Sequence, residues 1–171
     1  FFDDDGVVAH VGFAHPIDEA LAAAVVGATK RVGATVHQGG TYLCMEGPQF
    51  STFAESKLYR SWGVSVIGMT NFPEARLARE AELPYATLAM ATDYDCWHED
   101  HDAVTVEGVI AVMQKNVATA KEIIVELASN LPDPAESPAV TALAGAIITH
   151  PDTISADVRQ KLRPLIGKYI H

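Results

Sequence analysis

The sequence predicts an α/β protein in which helices cover both faces of a central sheet. Helical segments alternate with short apolar runs through residues 16–92, the order expected of strands joined by helical crossovers. The runs Val64–Met69 and Tyr85–Ala91 are nearly continuous in apolar residues rather than alternating, as in strands buried on both sides. In such sheets ligands bind beyond the carboxyl ends of the strands. The chemistry is therefore expected in three loops: Glu46–Thr52, Met69–Glu74 and Ala91–Trp97.

Each element has a local reason. Pro16-Ile17-Asp18-Glu19 opens a helix, because proline and acids suit the free N–H groups and the positive end of the dipole. Ala-rich sequence carries it to about Val32, and Gly33 suits its end. Thr35–Glu46, rich in Val, Thr and Tyr around Gly39-Gly40, predicts two extended pieces joined by a bend. Ser51 or Thr52 caps a helix running to about Trp62, with Glu55 at the spacing of a capping box from Thr52. A strand at Val64–Met69 follows, then a helix from Pro73-Glu74 to near Glu82, then the buried strand Tyr85–Ala91. The longest helix runs from Thr105 to about Leu131, where Val106, Val109, Ile110, Met113, Val117, Ile124 and Leu127 recur at three- and four-residue steps. Asn130-Leu131-Pro132-Asp133-Pro134 stops it. Val140–Ile148 and Ile154–Ile170 read as helical, interrupted by Pro151.

The 171 residues, 49% hydrophobic and 20% charged, suffice for one domain with a core. A net charge of −10 argues against nucleic acid and anionic membranes, which need clustered Lys and Arg. The two cysteines, Cys44 and Cys96, read as free thiols of a reducing cytosol. No apolar run reaches the roughly 18–20 residues of a membrane helix, and no signal pattern opens the chain, so a cytoplasmic address is expected. Phe1-Phe2-Asp3-Asp4-Asp5-Gly6, without Met, reads as the inside of a loop. The chain is accordingly expected to be a fragment.

Ala91-Thr92-Asp93-Tyr94-Asp95-Cys96-Trp97 places two carboxylates directly after a strand. Converging in a turn, they would hold a proton for general-acid work; the bland reading has one capping the next segment and the other facing water. Thr70 brings a hydroxyl to a helix start suited to an oxyanion, and Met69 a polarisable surface for a sugar or ring; alternatively Asn71 caps the helix and Met69 is core. Glu46-Gly47-Pro48-Gln49-Phe50-Ser51 is a rigid turn bearing a carboxylate, or a plain strand-to-helix connection. Cys96-Trp97-His98-Glu99-Asp100-His101-Asp102 lacks any accepted metal-ligand spacing, and no metal is expected. His10 and His15 lie in the opening loop, where they would lid a pocket or simply face solvent.

Glu46-Gly47-Pro48-Gln49-Phe50-Ser51, Gly68-Met69-Thr70-Asn71-Phe72-Pro73-Glu74 and Ala89-Met90-Ala91-Thr92-Asp93-Tyr94-Asp95-Cys96-Trp97 together resemble the trimeric purine nucleoside phosphorylase family, in its methylthio-nucleoside branch. The likeness covers roughly residues 6–131, and the last forty residues match less clearly. It implies a nucleoside phosphorylase-like mixed sheet, flanked by helices and lacking its N-terminal strands here, so that residues 1–171 would be the C-terminal portion of a single domain: 1–15 a mobile loop, 16–131 the purine- and ribose-binding part and 132–171 a helical tail. It also implies phosphorolysis of 5′-methylthioadenosine to adenine and 5-methylthioribose 1-phosphate. No metal or organic cofactor is implied, inorganic phosphate being a co-substrate. Ser51 would sit at the purine edge, Met69 against the ribose and Thr70 on phosphate. Asp93 would face N7 and the 6-amino group, with Asp95 beside it. Val106 and Val109 would line an apolar pocket for the methylthio group, and His10 would approach it, from the same subunit or across a subunit boundary of a homotrimer. The departing purine gathers negative charge, which an acid at position 93 relieves. The 6-oxopurine branch carries Glu at the position of Ser51 and Asn at that of Asp93, so this pair of residues favours a 6-amino base.

The Gly-rich first turn, Arg-His pair and other phosphate contacts of the family's N-terminal half have no counterpart here. Activity is expected only with that half as partner. The alternatives are a related phosphorylase acting on methylthioinosine or adenosine, a nucleosidase using water, and a non-catalytic purine-binding fragment.

Overall fold

The structure, a computed structural model, describes residues 1–2, 6–98 and 106–170, and for 106–109 the helical backbone alone. In chain order its elements are α1 (Glu19–Arg31), β1 (Tyr42–Cys44), α2 (Phe53–Ser61), β2 (Val66–Gly68), α3 (Asn71–Glu80), α4 (Val106–Ala128) and α5 (Ala156–Ile166), with short 3-10 turns between α4 and α5. They fall into two compact units. One gathers Phe1–Ala22, Pro73–Ala86 and Pro132–His171; the other gathers Ala23–Phe72 and Thr87–Leu131.

The second unit holds a strand–helix–strand crossover. β1 and β2 run parallel with Tyr42 opposite Val66, Leu43 opposite Ile67 and Cys44 opposite Gly68, and α2 connects them. Of the stretch Thr35–Glu46, expected as two extended pieces, only Tyr42–Cys44 is strand. The bend lies at Gly39 and Gly40, at φ of 83° and 102°, and a Cβ on Gly40 would stand 2.7 Å from the Ser65 hydroxyl. Glycine is needed there on both counts. α2 is capped as its spacing predicts: Thr52 accepts from Glu55 N–H at 3.3 Å, and Glu55 accepts from Thr52 N–H at 2.7 Å. Asn71 opens α3, two residues before the expected Pro73.

Tyr85–Ala91 is not a strand. The segment is irregular, and no ladder partner stands beside it among the described residues. A strand exists only by pairing its backbone groups; here Ala91 O accepts instead from the Asn116 side chain at 3.0 Å. α4 fits its expected span, but its apolar stripe lies open: Ile110, Met113, Val117 and Ile124 are all exposed, whereas Ile123 is buried.

In the first unit Val7, Ile154, Leu162 and Ile166 form a core, with Phe2, Ile147, Val158, Leu165 and Ile170 packed around it. Asp18 caps the start of α1 by accepting from Leu21 N–H at 2.8 Å, and its other oxygen accepts from the Ser137 hydroxyl at 2.6 Å. Residues 1–15, expected as a mobile loop, include one antiparallel bridge, Ala9 to Ile147. Val140–Ile148 is not the expected helix. Asp133, Ser137 and His150 each cap a 3-10 turn whose next residue is proline, and Gly145 at φ 71° breaks the run.

Candidate functional site

The three loops expected to carry chemistry all have residues in the second unit, two of them directly after β1 and β2. After β1 the chain keeps one more sheet bond, Met45 N–H to Gly68 O at 2.8 Å, and then turns at Gly47. Gly47 has φ 71° and lies against Met69, which follows β2. The loop after one strand therefore rests on the first residue beyond the other.

Ser51 ends the first loop, half-buried, and its hydroxyl donates to the Met45 sulfur at 3.6 Å. Its carbonyl accepts from the Cys96 thiol, also at 3.6 Å. That contact ties the start of α2 to the loop of the two aspartates. Met69 is half-buried, and Thr70 is exposed immediately before α3.

Within the aspartate loop each carboxylate has its own donors. Asp93 Oδ2 accepts from the Thr92 hydroxyl at 2.8 Å, and Oδ1 accepts from the Asp95 N–H at 2.8 Å. Asp95 Oδ2 accepts from the Ser56 hydroxyl at 2.6 Å. The link between the two residues thus runs from backbone to carboxylate, in the manner of an Asx turn. Asp95 sits at φ 62°, a left-handed conformation that short polar side chains tolerate better than most.

α2 holds this loop along its length. Ser56 is one turn into the helix and only 2% exposed. Arg60, one turn further, places its guanidinium 3.4 Å from the centre of the Trp97 ring. With Cys96 on the carbonyl of Ser51, just before the Thr52 cap, two successive turns of α2 and the residue leading into it engage residues 95–97. Ser56 and Arg60 were not among the residues singled out from sequence. The available signal was a serine in a helix interior with an arginine four residues on, the spacing of one face.

The expected site residues thus divide. Ser51, Asp93 and Asp95 are joined through Cys96 and Ser56, and Met69 lies against Gly47 of the loop that Ser51 ends. Thr70 adjoins it in sequence. The side chains of Val106 and Val109 lie outside the described residues. His10 belongs to the other unit, exposed, its N–H donating to Ala146 O at 2.9 Å. Of the histidine- and acid-rich stretch after Trp97, residues 99–102 lie outside the described residues; among the described ones no cluster of potential metal ligands occurs. Cys44 and Cys96 are both free thiols. No described helix is long and apolar enough to cross a membrane. A shallow apolar groove of about 330 Å³ runs along α4 past Ile110, Met113, Gln114 and Val117.

These loops can be compared with those of known proteins. A Koribacter versatilis protein named S-methyl-5′-thioadenosine phosphorylase is 54% identical over 98% of this chain and 58% of its own length. One of the same name from Geobacter sulfurreducens is 54% identical over 99% of this chain and 59% of its own. A crystal structure of methylthioadenosine phosphorylase from an Antarctic soil metagenomic library superposes with a TM-score of 0.86 at 42% identity, covering 96% of this chain and 58% of that one. The chain therefore spans a little under three-fifths of the length of the relatives it matches. Residues 1–129 also match the phosphorylase superfamily, and with that the chain belongs to this superfamily.

Proposed function

We propose that this chain carries the purine- and ribose-binding part of an enzyme that splits 5′-methylthioadenosine with inorganic phosphate. The reaction breaks the C1′–N9 bond, joins phosphate oxygen to C1′, and releases adenine and 5-methylthioribose 1-phosphate. The observation that carries the reading is the anchored carboxylate of Asp93, on a loop tied to Ser51 at the foot of α2. Asp93 hands a proton to N7, or shares one with it, as negative charge builds on the departing purine. Asp95 supports Asp93, and Ser51 meets the purine edge without presenting a carboxylate to the bare N1 of adenine. Met69 packs on the ribose, and Thr70, at the start of α3, takes phosphate beside the helix N–H groups. Val106, Val109 and His10 serve the methylthio end. The names of relatives 54% identical support the substrate.

The reaction so written uses phosphate as co-substrate and no metal or organic cofactor. The working enzyme is a cytoplasmic homotrimer that includes the remaining two-fifths of the relatives' length, and the open stripe of Ile110, Met113, Val117 and Ile124 on α4 supports the need for a covering partner. The test is adenine release from methylthioadenosine, with and without phosphate, alongside the intact mass of every polypeptide present. Phosphate-dependent release supports the reading. Release indifferent to phosphate replaces it with hydrolysis. Faster release from methylthioinosine or adenosine redirects it to a neighbouring substrate, and binding of adenine without any release reduces the chain to a purine-binding fragment.

A further inference from the structure

Ser56 is nearly sealed from solvent, and its hydroxyl is spent on one acceptor, Asp95 Oδ2 at 2.6 Å. A serine inside a helix usually points to solvent or back to the carbonyl a turn earlier. This one reaches 39 residues along the chain instead. The residue it holds stands at φ 62° and presents its N–H to Asp93 Oδ1 at 2.8 Å. A non-glycine residue in that conformation persists where its surroundings over-determine it. Here the surroundings are named: the Ser56 hydroxyl on one side chain oxygen, and neighbouring Cys96 on the Ser51 carbonyl.

We infer that Ser56 is the positioning residue of the carboxylate pair, its hydroxyl fixing Asp95, whose N–H in turn fixes Asp93. The inference rests on the reading above that Asp93 serves the leaving purine. Ser56 touches no substrate. It sets the direction of the carboxylate that does, and α2, capped at Thr52, gives it a rigid base. Loss of the hydroxyl frees Asp95 to rotate and loosens its N–H on Asp93. The effect belongs in kcat, because the groups that hold ribose and phosphate stay in place.

The experiment compares Ser56→Ala, Ser56→Thr and Asp95→Gly, the last keeping the left-handed backbone accessible while removing the carboxylate. Hydrogen exchange at the Asp95 amide is read on the chain itself, needing no turnover. Ser56→Ala is expected to speed it roughly tenfold, the worth of one hydrogen bond, with α2 amides unchanged. An unaltered Asp95 amide overturns the inference. Where the wild type turns over methylthioadenosine, Ser56→Ala is expected to lower kcat by roughly ten- to a hundredfold with KM for phosphate within about twofold. Ser56→Thr, which keeps the hydroxyl but crowds a buried site, should recover most of kcat while melting lower than Ser56→Ala. In the Asp95→Gly background Ser56→Ala should do nothing further; independent, multiplying losses overturn the positioning role. A wild type that releases no adenine even when combined with the remaining two-fifths of the relatives' length counts against the proposed function, and amide exchange still decides the role of Ser56.

Discussion

Gly47 lies so close to Met69 that a Cβ on the glycine would stand 2.7 Å from the thioether sulfur. The glycine also has φ 71°, where a side chain costs about 1–2 kcal/mol. The atoms in the way belong to the flexible methionine side chain and not to backbone. Gly47→Ala should therefore leave the protein folded, less stable by about 1–2 kcal/mol, with Met69 pushed aside. Denaturant unfolding and nucleoside KM check this together, and the expected mark is a rise in KM larger than the stability loss explains.

Asp93→Asn tests the leaving-group role cleanly, because the loop can accept it. The new amide can keep its oxygen toward the Asp95 N–H and turn its NH2 toward Thr92, whose hydroxyl rotates to accept. Stability should change by less than about 1 kcal/mol, while kcat on methylthioadenosine falls by roughly two to four orders of magnitude. An unchanged kcat would remove Asp93 from the chemistry.

Base choice should follow two positions jointly. Ser51→Glu with Asp93→Asn presents a carboxylate to an N1–H and an amide to a 6-oxo group. Leaving the wrong edge unpaired costs about 1–3 kcal/mol, so the ratio of 6-amino to 6-oxo turnover should move by roughly ten- to a hundredfold. Competing substrates in one reaction measure that ratio. A preference for adenine nucleosides that survives both changes would refute the edge argument.

Acid should weaken the first unit. Burial pushes the Glu82 carboxyl up, but it accepts from Lys168 and the Tyr169 hydroxyl, each at 2.6 Å, and from Leu143 N–H at 3.0 Å, which together hold it below its ordinary range. The Ser137 hydroxyl, followed by the Leu21 N–H, likewise holds Asp18 low. For both groups the folded value lies below the unfolded one. Their stabilisation is complete above the unfolded values and is lost as pH falls through about 4.5 and below. The Lys168 ammonium is raised by the same Glu82 contact, so its share persists until pH climbs past its own folded value. Melting temperature should therefore hold steady near neutrality and fall below about pH 4.5. Glu82→Gln should lower it at pH 7 by the equivalent of about 1–3 kcal/mol, with the gap from wild type closing in acid.

Much of this was legible in the sequence where the cause is local. The capping box at Thr52 and Glu55, the stop at Gly33 and the span of α4 each depend on a few neighbouring residues. The loops after β1 and β2 follow from the general rule for crossover sheets; the aspartate loop follows no strand and joins them through Cys96 on the Ser51 carbonyl and Asp95 on Ser56. Tyr85–Ala91 was misread because composition reports suitability for a strand, whereas a strand needs a partner. In the tail, the helix expected within Ile154–Ile170 is α5, whereas Val140–Ile148 is not helical, because capped prolines start turns more readily than they extend them. Ser56 and Arg60 share one face of α2, which their spacing shows, but their partners lie dozens of residues away, and local sequence does not say what that face meets.

The open stripe on α4 has a consequence for handling the protein in solution. Ile110, Met113, Val117 and Ile124 offer water a continuous apolar row, and β1 and β2 form a sheet of only two strands among the described residues. Such surfaces stick to their like. What holds copies apart is the net charge of −10, acting through a field that reaches about 10 Å at 0.1 M salt. Added salt shortens that reach and leaves the apolar row untouched. The same buffer change that leaves the fold intact should therefore drive copies together, so that light scattering climbs with ionic strength and with protein concentration alike.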